Sequence, residues 1–269
     1  MLHDINELRG FSVEATDGPI GHVRDFYFDD REWAIRFLVV DTDPWLKGRR
    51  VLVSPLSIGN PDWSARRLPI SLSRALVRDS PDVDTSKPVS RQHEIEQYTY
   101  YGFPFYWGGP GVWRDSRPEG ALHGIGGAAG ESAFVQAQRE MHRERGDDPH
   151  LRACDAVMNY RVHAADGDIG HVDGLIVDDQ SWVIRYLVIN TSDWWLGHDV
   201  LVAPQWIDDI SWLEGTVSIA LARRAVKDAP PYDRAAPPDR EHERRLYRHH
   251  ERRGYWRSSE RSAADSMPA

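Results

Sequence analysis

Apolar and polar positions alternate in short runs along this chain, and the runs predict strands rather than long helices. Residues 20–29 are rich in β-branched and aromatic side chains, with Gly21 interrupting them where a bulge or sharp bend is expected. Asp29-Asp30-Arg31-Glu32 then forms a polar break of the hairpin kind. In the next run Trp33, Ile35, Phe37 and Val39 fall on one face, and Ala34, Arg36, Leu38 and Val40 on the other. Only Arg36 is charged, so this strand must be covered on both sides. Val51-Leu-Val-Ser-Pro reads as a short strand closed by proline, which cannot donate to a ladder. Residues 69–72 supply another strand, and 73–80 one or two helical turns before Pro81.

The same pattern recurs. Asp17-Gly-Pro-Ile-Gly-His-Val is answered by Asp166-Gly-Asp-Ile-Gly-His-Val, an offset of 166 − 17 = 149. Between residues 17–55 and 166–204, 20 of 39 positions are identical without a gap, so the chain is an internal duplication. The offset persists beyond the strands: Arg91-Gln-His-Glu aligns with Arg240-Glu-His-Glu, Tyr98 with Tyr247, and Tyr106-Trp107 with Tyr255-Trp256. Ser90 and Asp239 are good N-caps for helices there. Each unit therefore reads as five or six short strands with a short helix, a small antiparallel β-barrel, followed by a helical tail that covers an apolar strand face.

The expected organisation is a first barrel at 1–80 with its tail at 81–107 and a Gly-rich linker with a connecting helix at 108–150. A second barrel at 151–229 follows with its tail at 230–257, and then a disordered end at 258–269. The two halves are expected to pack as an intramolecular pseudo-dimer.

Composition narrows the function classes. A net charge of −9 argues against nonspecific nucleic-acid binding through the whole surface. Cys154 is the only cysteine, which excludes an intramolecular disulfide and any multi-cysteine zinc site, and favours a reducing compartment. The start of the chain has no basic stretch or apolar core of a signal peptide, and no run approaches the ~20 apolar residues of a membrane helix. A cytoplasmic protein is expected.

The D-G-x-I-G-x-V turn, the W-x-I-R-[FY]-L-V-[VI] strand and the V-L-V-x-P strand together resemble the PRC-barrel family, over roughly residues 5–80 and 154–229. That family is named for a β-barrel shared by the cytoplasmic part of the photosynthetic reaction-centre H subunit and the ribosome maturation factor. The tails look like an extension found in some bacterial members. The resemblance implies docking onto larger assemblies and brings no catalytic residue set. Two departures set this chain apart: it shows no N-terminal membrane helix like that of the H subunit, and its second barrel copies its first, whereas the ribosome factor adds a barrel of another type.

His22 and His171 are equivalent, but a metal or proton-switch role needs carboxylates nearby, and Asp25 is matched by Gly174. Asp29-Asp30 and Asp178-Asp179 lack the spaced ligands of a calcium loop. Arg36 and Arg185, each on an otherwise apolar strand, could bind an anion, but a structural ion pair or a cation–π contact with the tail fits them better. Eight of the eleven Trp fall into repeat pairs. Of these, Trp45-Leu46 and Trp194-Trp195 sit in a loop before a glycine, where an aromatic can anchor a partner. Residues 239–261 hold eight Arg against five acidic residues, with aromatics between them. No P-loop, nucleophile elbow or zinc-protease motif is present.

The reading is a noncatalytic protein-binding module without cofactor or metal, its candidate interaction residues Trp45, Leu46, Trp194 and Trp195. Its alternatives are an RNA- or ribosome-linked maturation role, nucleic acid otherwise being disfavoured, and docking on a photosynthetic membrane complex through a protein partner.

Overall fold

The computed structural model describes residues 1–46, 48–81, 89, 91–103, 151–191 and 198–256. The expected linker and connecting helix at 108–150 and the end at 258–269 lie outside them, as do Trp194 and Trp195. The fold is mainly β, with two sheets.

The first half runs β1 (Leu2–Asp4), α1 (Ile5–Leu8), β2 (Ser12–Ala15), β3 (Gly18–Asp29), β4 (Ala34–Asp41), β5 (Arg50–Val53), β6 (Arg67–Pro69), α2 (Arg74–Arg78) and α3 (Arg91–Tyr101). The second repeats it as β7 (Leu151–Ala153), α4 (Cys154–Val157), β8 (Arg161–Ala164), β9 (Gly167–Asp178), β10 (Ile184–Asn190), β11 (Asp199–Val202), β12 (Ile207–Ser211), β13 (Thr216–Ile219), α5 (Arg223–Lys227) and α6 (Arg240–His249). Short 3-10 turns, Pro55–Ser57 and Pro204–Trp206, follow β5 and β11.

The strand path is β5-β4-β3-β2-β6 in one sheet and β11-β10-β9-β8-β13-β12 in the other. Neither path closes on itself among the described residues, and each contains one parallel pair, β2 with β6 and β8 with β13. The parallel pairs correct the antiparallel arrangement expected from the sequence. The physical reason is the hairpin at 62–67: Asp62 and Arg67 exchange backbone hydrogen bonds, so the chain doubles back and β6 runs beside β2 in the same direction.

Two compact units cut across the repeat boundary. One contains the described part of Asn6–Ala156 with Gln180–Val183; the other contains Met1–Ile5, Val157–Asp179 and the described part of Ile184–Ala269. The leading strands are responsible. β7 pairs with β3, placing Leu151 opposite Asp29 and Ala153 opposite Tyr27, while β1 pairs with β9 in the equivalent register, Leu2 opposite Asp178 and Asp4 opposite Ile176. Each sheet thus takes its extra strand from the repeat that did not build the rest of it. The anchors are apolar and equally spaced: Leu2, Ile5 and Leu8 in one segment, Leu151, Cys154 and Val157 in the other, none more than 8% exposed.

β4 is buried on both faces, as its pattern requires. On one side Tyr27, Phe37, Val39 and Leu52 pack with Ile95 and Tyr98 of α3, Phe37 meeting Tyr98 edge-on at 5.5 Å. Trp33 and Trp182 depart from the strand expected to hold them. They sit in the turn before β4 and β10 with φ of 53° and 55°, a left-handed conformation unusual for a bulky residue. Trp33 stacks on Phe28 at 5.2 Å, and the Trp182 carbonyl accepts from the Ile35 N–H at 2.8 Å within one unit.

Candidate functional site

The Asp-Gly turns set the geometry around Trp45. The Asp17 carboxylate accepts from the Arg74 N–H at 2.7 Å, and Asp166 accepts from the Arg223 N–H at 2.6 Å, so each turn fixes the start of the helix after the sheet. Gly18 and Gly167 leave room for the side chains of Arg74 and Arg223. Gly21 and Gly170, at φ of 149° and 139°, lie so close to the carbonyls of Asp41 and Asn190 that a Cβ would collide with them. One residue, Ile20 or Ile169, is extra in the register just before each glycine, which is the expected bulge.

The loop after β4 is drawn tight by Thr42, whose buried hydroxyl lies 3.0 Å from the Leu46 carbonyl and 2.7 Å from that of Arg49. Asp43 accepts from the Gly48 N–H at 2.9 Å. On this loop Trp45 and Leu46 are half-buried, and the Arg74 guanidinium lies 4.8 Å over the Trp45 ring. In the second repeat Thr191 donates to the His198 carbonyl at 2.8 Å.

The other sequence candidates lie elsewhere in the two sheets. His22 is exposed in one unit, between Ser12 and Asp41 in the ladder; His171 is half-buried in the other, between Arg161 and Asn190. Among the described residues no group of three His, Cys, Asp or Glu could hold a metal. Asp29 accepts from the Arg31 and Glu32 N–H groups at 3.0 and 3.1 Å, the work of a turn carboxylate. Buried Arg36 lies 4.0 Å from Asp29; Arg185 is 3.4 Å from Asp178 and 4.1 Å over the Tyr255 ring.

Two polar clusters were not singled out from sequence. In the first, Glu243 of α6 accepts from the hydroxyls of Tyr186 and Tyr255 at 2.7 and 2.8 Å, and Arg240 pairs with it at 2.9 Å. Burial and the neighbouring carboxylate push the Tyr186 and Tyr255 hydroxyls far above the ordinary phenol range. Beside them Gln205 donates to Tyr247, which packs on Trp206 and Trp256, and burial holds the His250 imidazole down at about 4. The repeated Glu94/Glu243 within an apolar helix face was the available signal.

In the second cluster, Arg9 reaches Asp25 at 3.1 Å and also binds Asp155, beside buried Cys154. Burial raises Asp25 to about 6 and the Cys154 thiol well above its usual range, so this cysteine is not an activated nucleophile. The signal here was the opposite one: the repeats differ at these positions, where Arg9 is answered by Met158 and Asp25 by Gly174.

Along the outer face of α6 and the turn after it, Arg244, Arg245, Arg248, Arg252 and Arg253 are exposed. No described helix is long and apolar enough to cross a membrane. Compared with known proteins, residues 2–60 match the family model for the PRC-barrel domain, and no curated protein matches the chain.

Proposed function

With residues 2–60 a PRC-barrel domain, we propose that this protein is a noncatalytic interaction module of two tandem barrels, each carrying a helix, that docks on another protein. The second barrel in this reading spans residues 151–229, and its support is the element order, which repeats strand for strand from β1–β6 to β7–β13 apart from the added β12. The observation that carries the reading is Trp45. It is an aromatic on a hydrogen-bonded loop, half-buried, with its indole backed by the Arg74 guanidinium and one part open to solvent. A preorganised amphipathic ring of this kind is what interface anchors use. The charged groups of the two buried clusters, Arg9 with Asp25 and Arg240 with Glu243, serve internal pairs.

The test is density-gradient sedimentation of a gently lysed source cell, comparing the full chain with its Trp45→Ala variant. The module reading expects the full chain to run with a larger assembly and the variant to fall back to small soluble proteins. Both running as small proteins at every salt concentration would overturn it.

One observation favours a second reading, an RNA-linked role: the arginines exposed on α6 and after it. Such binding would weaken steeply with salt and would be lost on ribonuclease treatment.

A further inference from the structure

The leading strands are exchanged between repeats, and the two repeats differ at the place where donor and acceptor meet. In one unit, β1 brings Asp4 beside Gly174, and a Cβ added to Gly174 would stand 2.9 Å from Asp4 Oδ2. In the other unit, β7 brings Ala153 to the equivalent position, and the acceptor strand carries Asp25 where its counterpart carries Gly174. At this pair of positions each junction therefore holds one carboxylate, on the donor in the first case and on the acceptor in the second, where Asp155 lies close by and shares Arg9 with Asp25. The valine across the ladder is kept in both, Val188 opposite Gly174 and Val39 opposite Asp25. A side chain at this acceptor position is thus compatible with the valine, and what it must suit is the donor.

Pairing of each leading strand with its own repeat, in the same register, would place Asp4 against Asp25 and Ala153 against Gly174. The first combination crowds two carboxylates into a site where both are buried, at 9% and 8% exposure. Like charges there repel strongly, because little water screens them. The second leaves a hole with no side chain from either strand to fill it. The surrounding charges agree: Asp25 has Arg9 at 3.1 Å, shared with Asp155, and the second repeat carries Met158 at the position of Arg9.

We propose that Asp4 with Gly174, and Ala153 with Asp25, are matched specificity contacts that direct each leading strand to the sheet of the other repeat and against its own. The stretches 1–8 and 151–157 are then two different keys, and the exchange is written into the sequence. The inference is independent of what the protein binds.

Cross-linking of the full chain, in a Cys154→Ala background, tests it. His3→Cys with Val177→Cys joins register partners of the exchanged pairing. His3→Cys with Phe28→Cys probes self-pairing, Phe28 being the counterpart of Val177. In the parent only the first pair should form a disulfide on mild oxidation. Swapping the donors, Asp4→Ala with Ala153→Asp, mismatches both exchanged junctions and matches both self-pairings. Yield from the first pair should then fall about tenfold, and the second pair should begin to cross-link. Undiminished cross-linking between positions 3 and 177 in the donor-swapped chain overturns the proposal.

A donor-swapped chain that does not fold leaves a second measurement to decide. Gly174→Asp should lower the denaturation midpoint, and adding Asp4→Ala with Met158→Arg should restore most of the loss, since the three changes together reproduce the alanine, carboxylate and arginine of the other junction. Losses that simply add would overturn the proposal equally.

Discussion

The Tyr186 hydroxyl donates to Glu243 Oε1 at 2.7 Å, joining the middle of a buried strand to the buried face of the helix that covers it. The first repeat has Phe37 at the equivalent position opposite Glu94, so this bond belongs to one unit alone. Tyr186→Phe leaves Glu243 with Tyr255 and Arg240 as partners and should cost about 1–2 kcal/mol, the range of one hydrogen bond to a charged group. Glu243→Leu strands two hydroxyls and a guanidinium and should cost more, about 3 kcal/mol. Urea denaturation of the two variants checks the order; equal losses would mean the carboxylate is held by its remaining partners alone.

Asp25 makes stability depend on pH in the opposite sense to most acidic residues. Its native pKa is raised from 3.8 to about 6, chiefly by burial. The native state therefore holds a proton that the unfolded chain has already released. The stabilisation from this proton is complete below the unfolded value, declines as pH rises toward 6, and is gone above it. The full difference is about 3 kcal/mol at ~1.4 kcal/mol per pKa unit. Asp25→Asn should be more stable than the parent at pH 7 and should lose that advantage toward pH 4. A stability difference independent of pH would show that Asp25 is ionised throughout.

Gly21 and Gly170 are held by what lies beside them. Gly170→Ala should cost more than about 3 kcal/mol, because the new Cβ meets the Asn190 backbone, which cannot turn aside. Gly48 is the control: its φ is 73°, yet nothing lies within 4 Å of a Cβ there. Gly48→Ala should cost only about 1 kcal/mol, for the left-handed backbone alone. Similar melting temperatures for the two alanine variants would refute the close-approach argument.

What was legible in the sequence was whatever depends on neighbours along the chain. The duplication, the strand runs, the bulge at Gly21 and the N-cap at Asp239, which accepts from the His242 N–H at 2.7 Å, all follow from local pattern. The left-handed turn at Trp33 was not legible, because alternation of apolar residues continues through it and a Trp gives no sign of positive φ. Nor was the parallel pairing of β6 with β2, since strand direction depends on the intervening path. The exchanged strands were hidden for a stronger reason. With the segment anchors matched at Leu2/Leu151, Ile5/Cys154 and Leu8/Val157, both repeats offer similar apolar surfaces, so the apolar pattern does not say which sheet each leading strand joins.

Arg234 clamps the strap before α6 by binding both Asp173 and Asp199, while the Tyr232 N–H donates to the Asp199 carbonyl at 2.7 Å. The side chains are partly exposed, so the global stability lost in Arg234→Ala should be small, about 1 kcal/mol or less. The local effect should be larger. Protease cleavage within residues 230–239 should speed up in the variant, and in the parent it should speed up with added salt. Unchanged cleavage would mean that the backbone bridge at Tyr232 holds the strap by itself.

Deleting residues 239–269 removes α6 and with it the cover over one face of the second sheet. Tyr247 packs on Tyr186 at 6.4 Å and on Trp206 at 5.1 Å, and Glu243 caps the Tyr186 hydroxyl. Without the helix, a fully buried tyrosine and a tryptophan only 2% exposed would face water, together with a phenol that has lost its acceptor. An apolar patch on a sheet is a ready site for self-association. The truncated chain should therefore aggregate and bind a hydrophobic dye, and Leu246→Asp in the full chain should do the same more mildly, because Leu246 is fully buried on the docking face of α6. A truncated protein that stays monomeric and melts at the parental temperature would show that the sheet does not need the helix, and the buried Glu243 cluster would then require another explanation.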